Sequence, residues 1–209
     1  MTVRYRMLVR KPNRTPLTPD DWAQAALDAI ARGGIEAVAV ETIAAALGAT
    51  KGSFYWHFES RDALIEAALA RWEHRRTDAV LEKLEREPDP AVRLRKAMEL
   101  GIEQGPSSRA EIALLSNPSH PSARRAVRRV AKRRLSWFRE QLEALGLDER
   151  DAGDRAVLFC HIYVGNMQMA HLAPRLRTPA ERKRQIDLMF DFLVAAAPKR
   201  AAAEVRRPV

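Results

Sequence analysis

The 209-residue chain is predicted to be all-α: an N-terminal three-helix helix-turn-helix unit, then a larger helical domain. Three observations predict this. Apolar residues recur at three- and four-residue spacing, with no credible strand-like alternation, over about nine segments. Proline and glycine fall between those segments and mark the joints. Two short helical segments are separated by a turn tight enough to make a helix-turn-helix. There is no internal repeat.

Each element follows from its own end signals. Residues 1–16 carry Arg4, Arg6, Arg10, Lys11 and Arg14 without an acid. They form a basic arm expected to be disordered, and lack the apolar run of a secretory signal. The first helix opens at Leu17-Thr18-Pro19-Asp20-Asp21-Trp22. Thr18 caps it, Pro19 takes the first helical position, and Leu17 staples onto Trp22. Gly33-Gly34 stops it. A second helix over 41–47 turns Ile43, Ala44 and Leu47 inward, and Gly48-Ala49 makes the turn. Thr50 then caps a third helix over 50–58. At about 100° per residue, Phe54 and Phe58 share an inner face, while Ser53, Tyr55, Trp56 and His57 point elsewhere.

Ser60 caps a longer helix reaching residue 85, and Pro88-Asp89-Pro90 breaks the chain before a helix over 91–104. Gly105-Pro106 and Asn117-Pro118 bracket a short helix over 108–115. A long helix over 122–145 stops at Gly146, and two more cover 149–173 and 180–196. The expected units are a helix-turn-helix domain over 17–60, a helical domain over 61–197 and a basic tail over 198–209 that frays.

Lys and Arg number 36 against 27 Asp and Glu, a formal net charge of +9 that favours a polyanionic partner. Cys160 is the only cysteine, which excludes an internal disulfide and a cysteine-based zinc site and fits a reducing cytoplasm. Residues 156–174 carry no charge, but His161, Asn166, Gln168 and His171 make them too polar for a membrane span. Enzyme chemistry finds no support, since no phosphate-binding Gly loop, Gly-x-Ser-x-Gly elbow or His-Glu-x-x-His pattern occurs. His161 and His171 do not share a helix face, so they cannot share a metal there. Cys160 and His161 diverge by about 100°, which predicts a buried inert thiol rather than a thiolate pair. No catalytic residue, metal or cofactor is expected.

The run Thr42-Ile43-Ala44-Ala45-Ala46-Leu47-Gly48-Ala49-Thr50-Lys51-Gly52-Ser53-Phe54-Tyr55-Trp56-His57-Phe58 resembles the DNA-binding signature of the tetracycline-repressor (TetR) family. Its continuation Glu59-Ser60-Arg61-Asp62-Ala63-Leu64 and the lead-in helix ending at Gly33-Gly34 match as well. The detailed similarity covers residues 17–65; beyond it the match is architectural. The resemblance implies a homodimeric regulator with a C-terminal effector-binding and dimerisation domain. On that analogy the helix matching 50–57 enters the major groove. Tyr55 and His57 contact phosphates, Lys51 and Ser53 lie near base edges or phosphate, and Thr42 touches the backbone. Arg61 stands where the family commonly has Lys. Ala49 replaces a larger apolar residue, Phe54 the usual Leu, and Glu41 sits where a basic residue is frequent.

Physical chemistry supports the same surface. Cations, hydroxyls and helix N-termini fix register on phosphates, while groove-facing side chains read bases. Gly52 permits close backbone approach. A merely buried aromatic cluster would leave the outward polar-tipped groups without a role. The expected DNA-binding set is Thr42, Thr50, Lys51, Gly52, Ser53, Tyr55, Trp56, His57 and Arg61, acting on a palindromic operator in double-stranded DNA. The basic arm either lies along the DNA or is a solubilising tail.

In the C-terminal half, Arg124, Arg125, Arg128, Arg129, Lys132, Arg133 and Arg134 form an acid-free band on one helix, expected to be a solvated face. Residues 156–173 are apolar around most of the helix circumference, through Val157, Leu158, Phe159, Ile162, Tyr163, Val164, Met167 and Met169. Such a helix needs cover on two sides. With Ile186, Met189, Phe190 and Leu193 of the last helix, it is expected to build a two-fold four-helix interface. An apolar effector pocket is expected among Trp72, Met98, Ile102, Trp137, Phe138, Phe159, Tyr163 and Met167, with polar specificity from His161, Asn166 or Gln168. The function expected is a ligand-responsive, DNA-binding transcriptional repressor. A sequence-independent nucleic-acid binder and a small-molecule-binding helical protein without a DNA role are the alternatives.

Overall fold

The computed structural model describes residues 16–102, 108–116, 120–173 and 178–195. The basic arm's five cations, the tail over 198–209, and the breaks at Gly105-Pro106 and Asn117-Pro118 lie outside the described residues. The chain runs α1 (Pro19–Gly33), α2 (Val40–Leu47), α3 (Lys51–Tyr55), α4 (Arg61–Glu73), α5 (Ala79–Glu85), α6 (Pro90–Ile102), α7 (Ser108–Ser116), α8 (Pro121–Ala144), α9 (Glu149–Leu172) and α10 (Pro179–Val194). A short 3-10 turn, Ile35–Ala37, joins α1 to α2, and a π turn, His74–Asp78, joins α4 to α5 without a break. Taking that last run as one helix, the described residues hold the nine helices expected.

The predicted start and stop signals act where the sequence puts them. The Thr18 hydroxyl accepts from Asp21 N–H at 3.3 Å, and the Asp21 carboxylate accepts from Thr18 N–H at 2.8 Å. These bonds, the backbone one foremost, hold the Asp21 carboxyl below the usual carboxylate range. Pro19 occupies the first turn and Gly34 ends α1 at φ +72°. Ser60 caps α4 through Ala63 N–H at 3.1 Å, and α10 opens on a capping box outside the expected signals, Thr178 with Glu181. Each such cap contributes about 1 kcal/mol.

Two hydrophobic clusters stabilise the chain. The first joins α1–α4 to α7 and the N-terminal half of α8, through Trp22, Ile30, Phe54, Leu64, Leu69, Leu114 and Val130. The second joins α5, α6, α9, α10 and the C-terminal half of α8, through Leu94, Met98, Trp137, Phe159 and Phe190. Helix α8 therefore belongs to both. So does the α4–α5 run, which crosses from one cluster to the other at the π turn. A π turn is a local defect in the i→i−4 ladder and is commonest at functional sites. Here Arg134 of α8 pins it, donating from Nε to Thr77 Oγ1 at 3.2 Å and from Nη2 to the Arg76 carbonyl at 3.1 Å.

Candidate nucleic-acid interface and interior cavity

The turn between α2 and α3 is made by Gly48 in the left-handed region (φ +63°), with Ala49 N–H reaching back to the Ala44 carbonyl at 2.8 Å. This bonding satisfies the last carbonyls of α2 and fixes the direction in which α3 leaves. Thr50 caps α3 through Ser53 N–H at 3.2 Å. Helix α3 is shorter than expected and ends at Tyr55; Trp56 and His57 form the following turn. Gly52 and successive aromatic residues are weak helix formers, so nothing local prolongs the helix. Packing holds it in place. Phe54 is fully buried, edge-on to buried Trp22 at 5.6 Å and stacked on Phe58 at 5.8 Å.

With Phe54 fixed inward, its neighbours are fixed outward. Tyr55 is 56% exposed and Trp56 88%. Thr42, Lys51 and Gly52 are exposed beside them, while Ser53 and His57 are half-buried, His57 lying 6.5 Å from the Trp22 ring. Thr50 is exposed, with its hydroxyl engaged in the cap. Lys51 Nζ donates to Glu41 at 2.6 Å, across the two helices. That bond lowers the Glu41 carboxyl and raises the Lys51 ammonium from their ordinary values. Arg61 is placed differently from the rest. Its Nε donates to the Val38 carbonyl at 2.6 Å and its Nη2 to the Ile35 carbonyl at 2.9 Å. The guanidinium thus braces the 3-10 turn against α4, with much of its donor fork turned inward.

In the second cluster, a cavity of about 200 Å³ lies between the π turn, α5, α6, α8 and α9. Val80, Leu81, Leu84, Leu100, Phe138 and Phe159 make its apolar wall; Arg76, Thr77, Arg134, Cys160 and Tyr163 make its polar end. Of the eight pocket residues expected, Phe138, Phe159 and Tyr163 line it. Met98, Ile102 and Trp137 are packed behind the wall, and Met167 is buried outside it. Trp72 lies in the N-terminal cluster and reaches a separate hollow of about 80 Å³. That hollow shares Arg134, Cys160 and Tyr163 with the main cavity. Of the three polar candidates, His161 is exposed on α9, Asn166 is buried, and Gln168 reaches Ser116 at 3.4 Å; none lines the cavity.

The polar end is an ionic network absent from the expected set. Glu111 of α7 has a side chain only 2% exposed. It accepts from Arg134 Nη1 at 2.6 Å, from Tyr163 Oη at 3.1 Å and from Arg76 Nε at 3.4 Å. Arg134 also lies over the Tyr163 ring, 5.1 Å from its centroid. Burial opposes the Arg134 charge, but Glu111, Tyr163 and Cys160 together more than offset it and the pKa is raised. Burial, reinforced by Glu111, raises the Tyr163 phenol. Burial pushes the Cys160 thiol up to about 11, against a smaller opposing pull from Arg134. The thiol therefore stays protonated at neutral pH. Its alkylation by iodoacetamide at pH 7.5 is expected to be about 100-fold slower than that of a cysteine with an ordinary pKa, because thiolate is the nucleophile. Mass spectrometry of timed aliquots checks this.

The basic band on α8 also differs from a plain solvated face. Arg125 pairs with Glu66 at 2.8 Å, and Arg129 holds Glu73 with its Nε at 3.0 Å, both carboxylates belonging to α4. Arg134 completes this ladder at the π turn. Arg124, Arg128, Lys132 and Arg133 remain exposed. Among the described residues, no three His, Cys, Asp or Glu side chains are grouped as a metal site requires. No helix there is long and apolar enough to cross a membrane.

Residues 24–68, from the middle of α1 to the middle of α4, match the family described as bacterial regulatory proteins, tetR family. These residues are a TetR-family domain. Solved structures extend the likeness in fold along the chain. A transcriptional regulator from Rhodococcus sp. Rha1 superposes with a TM-score of 0.73 at 23% identity, covering 87% of this chain and 98% of its own. A structure described as a TetR-family transcriptional regulator from Rhodococcus sp. gives 0.67 at 20%, covering 85% and 98%. AibR, solved with isovaleryl coenzyme A and operator DNA, gives 0.64 at 20%, covering 84% and 97%. No curated protein gives a significant match. At these identities the structural likeness establishes the fold.

Beyond the TetR-family domain, the last two helices leave an apolar face uncovered. Val157, Leu158, Met169 and Leu172 of α9 and Leu188 and Phe192 of α10 are exposed, Leu172 and Leu188 by more than 70%. This face differs from the one the sequence suggested. Ile186, Met189, Phe190 and Leu193 point into the chain's own core, on the side that meets α6, and Phe159 and Met167 are likewise buried within the chain. The sequence period marks two apolar sides on α9 and α10, and packing assigns the bulkier side inward.

Proposed function

We propose that this chain is a ligand-responsive transcriptional regulator that binds a palindromic operator as a homodimer and releases it when a small molecule occupies the cavity, and so acts as a repressor. The observation that carries this reading is the exposed row of Lys51, Tyr55 and Trp56, held outward by buried Phe54 next to a Gly48 turn. Residues 17–60 would be the DNA-binding domain and 61–197 the effector-binding and dimerisation domain, working in the cytoplasm. Thr42, Tyr55 and His57 would meet phosphates, and Lys51 and Ser53 would lie at base edges; Gly52 and the Thr50-capped α3 N-terminus would allow close backbone approach. Arg61 would position the turn more than it neutralises phosphate.

The coupling route is physical. Helix α4 follows the DNA-binding helices directly, is tied to α8 by Arg125–Glu66 and Arg129–Glu73, and passes through the π turn into the cavity wall. A ligand that moves Arg134 or Thr77 would shift α4 and with it the separation of two recognition helices. That AibR was solved with both an acyl-coenzyme A and operator DNA supports such a two-site reading. The uncovered apolar face of α9 and α10 supplies the surface for a second copy, since an exposed patch of this kind marks an interface.

Fluorescence anisotropy on operator DNA tests the reading. Tyr55→Phe and His57→Ala are expected to weaken binding broadly across sequences, while Lys51 substitutions shift sequence preference. Unchanged affinity in the first two variants contradicts the phosphate roles. Equal operator affinity with and without an identified effector contradicts ligand control. A further expectation concerns Glu41, which holds Lys51 and sets a carboxylate on the DNA-facing side. Glu41→Gln should tighten binding by about 3- to 10-fold at low salt, and the gain should shrink as salt rises. Binding isotherms at two salt concentrations check both parts.

A further inference from the structure

The charged groups at the polar end of the cavity are already bound to one another. Each nitrogen of Arg134 donates: Nε to Thr77 Oγ1 at 3.2 Å, Nη1 to Glu111 at 2.6 Å and Nη2 to the Arg76 carbonyl at 3.1 Å. Arg76 is held by Glu111 and by Tyr163, whose own hydroxyl proton goes to Glu111. The Cys160 thiol stays protonated and brings no charge. Thr77 differs from these groups. It lines the cavity and is 2% exposed, and its oxygen accepts from Arg134, but its hydroxyl proton meets no acceptor among the described residues. A buried polar group short of a partner is costly, so an acceptor brought to Thr77 gains a bond that nothing else there supplies. The rest of the wall, with Leu81, Leu84, Phe138 and Phe159, offers apolar surface.

We propose that the cavity takes an uncharged, largely apolar molecule with one hydrogen-bond acceptor, such as a ketone or ester carbonyl, the acceptor lying at the Thr77 hydroxyl and the body between Leu81, Leu84, Phe138 and Phe159. The carbonyl completes the bonds of Thr77 and leaves Arg134 as it stands. A carboxylate fits less well. Arg134, the cation that meets Thr77, is already paired with buried Glu111, and a second carboxylate would have to share it where water screens little. A cationic ligand meets guanidiniums and no lining carboxylate. The inference deepens the regulatory reading and rests on it only for its consequence, since the molecule would be the effector; its binding stands on the hydrogen bonds and the cavity walls. Thr77 belongs to the π turn that continues α4, so the same bond bears on the helix that follows the DNA-binding helices.

The test is calorimetric titration of the full-length protein with three probes of one shape. Benzylacetone carries a ketone, hydrocinnamate has a carboxylate oxygen in place of the ketone's methyl group, and butylbenzene lacks the oxygen altogether. At neutral pH benzylacetone is expected to bind about tenfold or more tightly than hydrocinnamate and about 3- to 10-fold more tightly than butylbenzene. Thr77→Val is expected to remove the advantage over butylbenzene, and Thr77→Ser to keep it within about twofold. Ala97→Phe, which fills the cavity from α6, should abolish binding of both neutral probes. Equal or tighter binding by hydrocinnamate overturns the proposal, as does no binding by benzylacetone or a benzylacetone affinity unmoved by Thr77→Val or by Ala97→Phe. The comparison of the probes on the unaltered protein keeps the test decisive should a variant fail to fold. Parallel titrations in the presence of operator DNA separate the two readings. Benzylacetone binding without operator release removes the regulatory reading and leaves the site; operator release by hydrocinnamate without benzylacetone binding does the reverse.

Discussion

Replacing Phe54 with Ala is expected to destabilise the N-terminal domain by about 3–5 kcal/mol and to abolish operator binding with it. Phe54 is fully buried, and its ring contacts those of Trp22, Phe58 and Tyr55 at 5.1–5.8 Å. Removing it opens a cavity that fixed α-helices around it cannot collapse into. It also removes the anchor that turns Tyr55 and Trp56 outward on a five-residue helix with little stability of its own. The loss of DNA binding should therefore exceed what any contacting residue produces alone. Phe54→Leu is the informative control: it keeps most of the volume, should cost under about 1.5 kcal/mol, and should retain binding. Urea unfolding and operator titration of both variants check the pair of effects; an Ala variant that still binds operator normally contradicts the anchoring role.

Glu111→Ala is expected to have a comparable cost, about 3–5 kcal/mol, for an electrostatic reason. The carboxylate is almost completely buried and is the common partner of Arg134, Arg76 and Tyr163. Without it the largely buried Arg134 loses the carboxylate it is paired with. The double variant Glu111→Leu with Arg134→Met should recover much of the loss, because replacing both partners of a buried pair by apolar groups removes the uncompensated charge. Chemical denaturation of the single and double variants measures this directly. A single variant that loses less than about 1 kcal/mol contradicts the network's structural role.

The contrast between these two sites explains what the sequence made legible. Phe54 and the surface opposite it follow from local rules: a cap at Thr50, a stop at Gly48, and helical spacing that sends Phe54 and Phe58 inward. Those rules act within a few residues, so the caps of α1 and α4 and the placing of Tyr55 and Trp56 were predictable. The cavity follows from long-range packing. Glu111 and Arg134 lie 23 positions apart and Arg76 a further 35 from Glu111; no periodicity relates them. The one available signal was Glu111 itself, a lone acid inside the apolar run of α7. Met98 and Trp137 show the same limit from the other side, since an apolar residue at a core-facing position can equally be wall or filling. The inward side of α10 was likewise open in the sequence, because Ile186 and Leu188 are both apolar and only contact with α6 distinguishes them.

Under the proposed function, α3 reads DNA and two copies of it act together. Selection of binding sites from a random duplex library by the full-length protein tests both at once. An enriched inverted repeat is expected, with half-site centres about 34–36 Å apart or a multiple of that, and it should disappear with the Tyr55→Phe, His57→Ala double variant. Enrichment of no motif, or of a single unpaired half-site that survives those substitutions, would contradict it.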